Sequence, residues 1–147
     1  MSAEAPKDPV TRAVTLLAAR ERTRHELARA LSSRGYAEAE VEAALERVAA
    51  LGYLDDTRVA SQRAQRMLSE GRSRADAVRR LLGQGVDSSL AEEVIRREAE
   101  ACGQTDEASA RALLLSRRLL GPKAARFLAS RGFDEALIRR LVGLADE

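Results

Sequence analysis

The 147-residue sequence predicts an all-α protein built as three tandem three-helix repeats that form an elongated, curved array. Three observations predict it. Ala and Leu, both strong helix formers, supply about a third of the chain. No proline falls between Val10 and Gly121, and β-branched residues show no period-2 alternation. A Leu-x3-Gly-apolar motif recurs three times at almost constant spacing.

The elements follow from their caps. Residues 1–9 hold two of the three prolines and are expected to be a flexible tail. Thr23-Arg24-His25-Glu26 is a capping box that opens a helix with Leu27, Ala30 and Leu31 on its apolar face, ending near Gly35. The next helix aligns Val41, Ala44, Leu45, Val48 and Leu51, and Gly52 stops it. Asp55-Asp56-Thr57 caps a helix that runs to about Glu70 and halts at Gly71. Ser73-Arg74-Ala75-Asp76 resembles a second capping box ahead of Val78, Leu81 and Leu82. Asp87-Ser88-Ser89 starts a helix with Ala91, Val94, Ile95, Ala99 and Cys102 on one side, so Cys102 is expected to be a packed thiol. After the polar stretch Gly103-Gln104-Thr105, an apolar helix is expected around Ala112 to Leu120. Gly121-Pro122 marks a stop and a new first turn. Asp134 caps the last helix, which carries Ile138, Leu141, Val142 and Ala145.

The repeat is read from Leu31-x3-Gly35-Tyr36, Leu81-x3-Gly85-Val86 and Leu128-x3-Gly132-Phe133. Six residues past each glycine stands Val41, Ala91 or Ile138, and ten past stands Leu45, Ile95 or Val142. The glycine ends the middle helix in left-handed geometry, and the apolar residue after it folds back on the last turn. The expected units are 10–54, 55–104 and 105–147, each contacting mainly its neighbour.

Composition excludes several classes of function. No stretch approaches the roughly 18 to 20 apolar residues of a membrane span, and the N-terminus lacks a secretory apolar run. One cysteine rules out an internal disulfide, so a reducing cytoplasm is expected. A single histidine, His25, excludes paired-His metal sites; inside the capping box it reads as a surface residue. Four aromatics and no Trp make base-stacking platforms hard to assemble, and no phosphate-binding glycine loop is present. Asp55-Asp56, directly before a helix, reads as capping rather than as an acid–base pair. The expectation is a non-enzyme with no catalytic residues, cofactor or metal.

With these motifs in view, the sequence resembles the RecX family, bacterial regulators of the recombinase RecA, over about Val10 to Leu144. The resemblance rests on three sets of residues. The first is Arg20-x2-Thr23-x2-Glu26-Leu27-x3-Leu31-x3-Gly35, followed by Gly52-Tyr53-Leu54-Asp55-Asp56-x3-Ala60. The second is Gly71-x7-Arg79-x1-Leu81-x3-Gly85-Val86. The third is Lys123-x4-Leu128-x2-Arg131-Gly132-Phe133-x4-Ile138. Val59 stands where the family commonly has an aromatic, and Arg80 where an acidic or amide residue is common. A monomer is expected, and the resemblance implies a protein lying in the groove of the RecA–DNA filament. Its effect there would be to lower ATP hydrolysis, strand exchange and coprotease activity in DNA repair and the SOS response.

Charge adds an independent reading. The net charge of +2 conceals blocks: +5 over residues 58–80, −5 over 87–107 and +6 over 108–131. Alternation of this kind suits a partner of mixed charge, such as a protein filament around DNA, better than bare nucleic acid. Candidate partner-binding residues are Arg72, Arg74, Arg79 and Arg80, and separately Arg117, Arg118, Lys123 and Arg126. Opposite blocks pairing within the fold is the competing reading. Weak direct contact with DNA is compatible with the filament reading. The alternative function is a helix-turn-helix-type DNA-binding protein acting without RecA.

Overall fold

The computed structural model describes residues 8–143, and among them there are nine helices and no strand. They are α1 (Pro9–Ala19), α2 (Arg24–Ser33), α3 (Glu38–Ala50), α4 (Asp56–Ser69), α5 (Arg74–Gly83), α6 (Ser88–Cys102), α7 (Asp106–Arg117), α8 (Gly121–Ser130) and α9 (Glu135–Val142).

Local chemistry sets the boundaries. The Asp8 carboxylate accepts the Val10 amide at 3.0 Å and the Thr11 hydroxyl at 2.8 Å, and Pro9 sits in the first turn where its missing N–H costs nothing. Asp8 and Pro9 therefore belong to α1 rather than to the expected tail; residues 1–7 lie outside the described residues. Thr23 and Glu26 make the full reciprocal box. Thr105 accepts the Ala108 amide at 3.1 Å, so α7 begins at Asp106, six residues before the expected Ala112. It also stops earlier than expected, at Arg117, because Arg118 turns left-handed with φ 53°; Leu119 and Leu120 lie beyond it. Ala145, expected on the last helix, lies outside the described residues. Cys102 corrects another expectation: it stands on the same side as buried Ala91, Ile95 and Ala99, yet at the last residue of α6 it is exposed rather than packed.

Each set of three helices buries its own apolar cluster. Leu27, Leu31, Val41, Leu45 and Val48 join α2 and α3 to α1. Ala60, Ala64, Leu81, Val94 and Ile95 join α4, α5 and α6. Ala110, Leu128, Phe133, Leu137 and Ile138 form the third cluster. At about 1.5–3 kcal/mol per fully buried large aliphatic, these clusters hold each unit together.

The units are joined by a contact that repeats. The Thr23 hydroxyl accepts the Glu26 amide at 3.1 Å and donates to the Gln84 carbonyl of the next unit at 2.7 Å. Fifty residues on, the Ser73 hydroxyl accepts the Asp76 amide at 3.0 Å and donates to the Gly132 carbonyl at 2.8 Å. The amide after each cap donates to an aspartate opening the next unit: Arg24 to Asp56 at 2.7 Å, Arg74 to Asp106 at 3.1 Å. Both hydroxyls are fully buried, so one small side chain caps a helix and tethers the neighbouring unit. The Leu-x3-Gly glycines complete the junction. A Cβ on Gly85 would lie 2.1 Å from the His25 Cβ, and one on Gly132 would lie 2.6 Å from the Asp76 Cβ. On Gly35, which no other unit meets among the described residues, a Cβ would have nothing within 4 Å.

Candidate partner-binding surface

The first basic group is organised by Asp76. Its carboxylate, only 5% exposed, receives Arg72 at 3.1 Å, Arg80 at 3.1 Å, and Arg79. Burial works to raise its pKa, but the hydrogen bonds from Arg80, Arg79 and Arg72 outweigh burial and hold it below the ordinary carboxylate range. Three guanidinium groups on one carboxylate leave a local positive excess. Of the three, Arg79 and Arg80 reach solvent while Arg72 is mostly covered. Asp76 is committed to these arginines and does not return to the Ser73 amide, so the expected second capping box is only half made. Arg74, grouped with them by sequence, turns the other way. Its guanidinium binds the Gln104 side chain at 2.9 Å and carbonyl at 2.6 Å, fixing the approach to α7.

The second group lies around α7 and α8. Arg117 sits over the Phe127 ring at 5.0 Å, with Arg131 over the same ring at 5.1 Å. Lys123 and Arg126, three residues apart on α8, share the exposed face opposite buried Ala124 and Leu128. Among the described residues, no acid pairs with Arg117, Arg118, Lys123 or Arg126. The two groups are thus chemically different: the first is part of a buried ion network, and the second is uncompensated surface charge.

Sequence reasoning missed a third set of cations, brought together only by the junction of the first two units. Arg20, Arg63, Arg66, Arg72 and Arg80, with Glu21, Glu26 and Glu70, line a polar groove of about 520 Å³. Arg63 is locked: it pairs with both Glu26 oxygens at 2.9 and 3.0 Å, with the Gln84 side chain at 2.9 Å, and with the Glu21 carbonyl at 3.2 Å. Burial pushes the Glu26 pKa up, and the Arg63 and Thr23 hydrogen bonds bring it below its ordinary value. Arg20 and Arg66 make no ion pair among the described residues. Arg66 stood within the positive 58–80 block, but nothing in the sequence placed Arg20 beside it, 46 residues away.

Comparison with known proteins decides the family. Residues 11–47 match the model of "RecX, first three-helix domain". The protein named "Regulatory protein RecX" from Chromobacterium violaceum is 38% identical, with 100% of this chain and 97% of the relative aligned. Its namesake from Stenotrophomonas maltophilia is 33% identical over 90% of this chain and 83% of the relative. The chain belongs to the RecX family. The crystal structure of RecX from Lactobacillus salivarius shares its fold, with a TM-score of 0.72 over 92% of each chain at 17% identity. A helical repeat array is therefore the architecture of this RecX-family chain, and its family is one of regulatory proteins.

The remaining candidates take structural places in the RecX fold. His25 is exposed, as expected, yet its Cβ is the surface on which Gly85 rests. Asp55 caps α4 through the Arg58 amide at 3.2 Å, while Asp56 bonds Arg24 of the first unit. Arg80, where the family commonly has an acid or amide, is accommodated because Asp76 supplies the compensating charge. Val59 is buried within the packing of α4. Among the described residues, no helix is long and apolar enough to cross a membrane.

Proposed function

We propose that this protein binds the RecA filament assembled on DNA and restrains RecA's ATP hydrolysis, strand exchange and coprotease function. The match along nearly the whole chain to proteins named regulatory protein RecX carries this reading. The charge layout supports it. A filament around DNA offers acidic side chains and phosphates beside basic ones. Uncompensated Lys123 and Arg126 and the exposed Arg79 and Arg80 suit the former, and the outer face of α6, where Glu92, Glu93, Glu98 and Glu100 outnumber Arg96 and Arg97, suits the latter. Complementary patches of this kind set orientation and association rate more than raw affinity.

The test is RecA's DNA-dependent ATPase with this protein added below stoichiometry. Slowing is expected, and Lys123→Glu with Arg126→Glu should raise the concentration needed by about tenfold, or roughly 1.4 kcal/mol. Those two positions are chosen because they hold no structural partner, whereas reversing Arg79 and Arg80 would also strip the buried Asp76. An ATPase indifferent to excess protein overturns the proposal.

A further inference from the structure

Among the described residues, the face that joins one unit to the next meets no further unit in the third. Positions 23, 73 and 120 are equivalent, each twelve residues before the turn glycine at 35, 85 or 132. Thr23 and Ser73 use their hydroxyls to hold the following unit; Leu120 caps α8 with no side-chain bond and is 85% exposed. Leu114, Leu115, Leu119, Leu120 and Ala124, with Leu141 and Val142 of α9, line an apolar groove of about 310 Å³, and Arg118 stands in its wall. Leu115 beside it is 79% exposed. Two such leucines left in water on one face are a mark of an interaction site.

The internal junctions show what such a face accepts. Each receives a helix with an aspartate in its first turn, Asp56 or Asp106. Seven residues on, two turns along the same face, Arg63 donates to the Glu21 carbonyl, and Leu113 lies so close to Gly71 that a Cβ there would stand 3.0 Å from its Cδ2. Arg118 is the one charged residue lining the groove, and the segment 108–131 that supplies most of its wall carries six cations and no carboxylate. A second copy of the chain does not meet this demand, since the first turn of α1 contains no acid.

We propose that the terminal groove docks a helix of a partner protein. That helix carries a carboxylate in its first turn and a leucine-class side chain seven residues later. By the register of the internal junctions, the carboxylate accepts the Gly121 amide, which stands where the Arg24 and Arg74 amides stand, and the leucine lies in the groove against Arg118, which stands where Glu21 and Gly71 stand. This inference goes beyond filament binding and holds whatever the identity of the filament.

The test needs no RecA. A fluorescein-labelled peptide copying residues 105–117, with Arg111→Glu and Arg117→Glu and a hydrocarbon staple to hold it helical, is titrated with the full chain by anisotropy. Saturable binding is expected, weakened at least tenfold by Leu115→Glu with Leu120→Glu. Both side chains are solvent-facing, and an unchanged thermal melt would show that the fold survives. Removing the peptide's acid or leucine by Asp106→Ala or Leu113→Ala should weaken it likewise. No binding, or binding indifferent to these changes, overturns the proposal. So does sedimentation showing a dimer that Leu120→Glu dissociates. A chain ending at Gly143 that binds tenfold more tightly would assign the groove to the protein's own last residues, and that too overturns it.

Discussion

Gly35, Gly85 and Gly132 end α2, α5 and α8 with nearly the same backbone geometry, φ 93°, 88° and 84°. Alanine at any of them incurs about 1–2 kcal/mol of left-handed strain. The positions differ in what a methyl group would meet. At Gly35 there is open space; at Gly85 the new carbon falls 2.1 Å from the His25 Cβ and 2.5 Å from its Cγ. The His25 Cβ is fixed to the α2 backbone and cannot rotate away, so the first two units must separate. Overpacking of that kind adds about 1–3 kcal/mol. Gly35→Ala is therefore expected to cost about 1–2 kcal/mol and Gly85→Ala about 2–5 kcal/mol. At about 2–4 °C per kcal/mol for a chain of this size, the Gly85 variant should melt about 2–12 °C below the Gly35 variant. Circular dichroism melts and urea titrations of both measure the gap. The contact is assigned by a double-mutant cycle. His25→Gly removes the offending carbon and should cancel the extra loss in the Gly85→Ala background, whereas His25→Ala keeps that carbon and should not. Equal losses at Gly35 and Gly85, or full rescue by His25→Ala, would refute the reasoning.

Thr23→Ala removes a helix cap and a buried tether to Gln84 together, and should cost about 2 kcal/mol, while Thr23→Ser retains both and should cost well under half of that. Equal urea midpoints for the two variants would show that the hydroxyl contributes nothing. Stability should also fall with acid. Glu26 and Asp76 are held below their ordinary values of 4.5 and 3.8 by their arginine partners, so the unfolded chain binds more protons in that range. Their contribution is complete above about pH 4.5 and is lost as pH falls through the depressed folded values. Unfolding midpoints measured between pH 7 and 3 should drop, and Glu26→Gln with Asp76→Asn should flatten the drop; an unaltered slope would contradict these assignments.

Helix type, order and the three-fold repeat were legible because they are local. Thr23 with Glu26, Asp134 and the turn glycines act within four residues of themselves, and period 3.6 marks the buried face of each helix. The ends of α7 differ from expectation because its start is set by the Thr105 cap, seven residues ahead of the apolar run from Ala112, and because nothing local announces that Arg118 will turn left-handed. The candidate site was half legible. Runs of arginine located the basic surface, but neighbours in sequence parted in space. Arg74 goes to Gln104, whereas Arg72, Arg79 and Arg80 converge on Asp76.

By itself the sequence determined that this chain is helical, that it repeats, and which family's motifs it carries. Each of those depends on residues a few positions apart, or on order along the chain. Only the tertiary structure decided what the repeated residues do. Thr23 and Ser73 are caps in sequence but tethers in space, because their hydroxyls meet carbonyls about 60 residues away. Gly85 and Gly132 are turn glycines whose missing side chains also admit the neighbouring unit, and Gly35, identical in motif, does not have that second role. The difference comes from position in the array. A junction exists only where one unit follows another, and the same position at the end, Leu120, is left facing solvent.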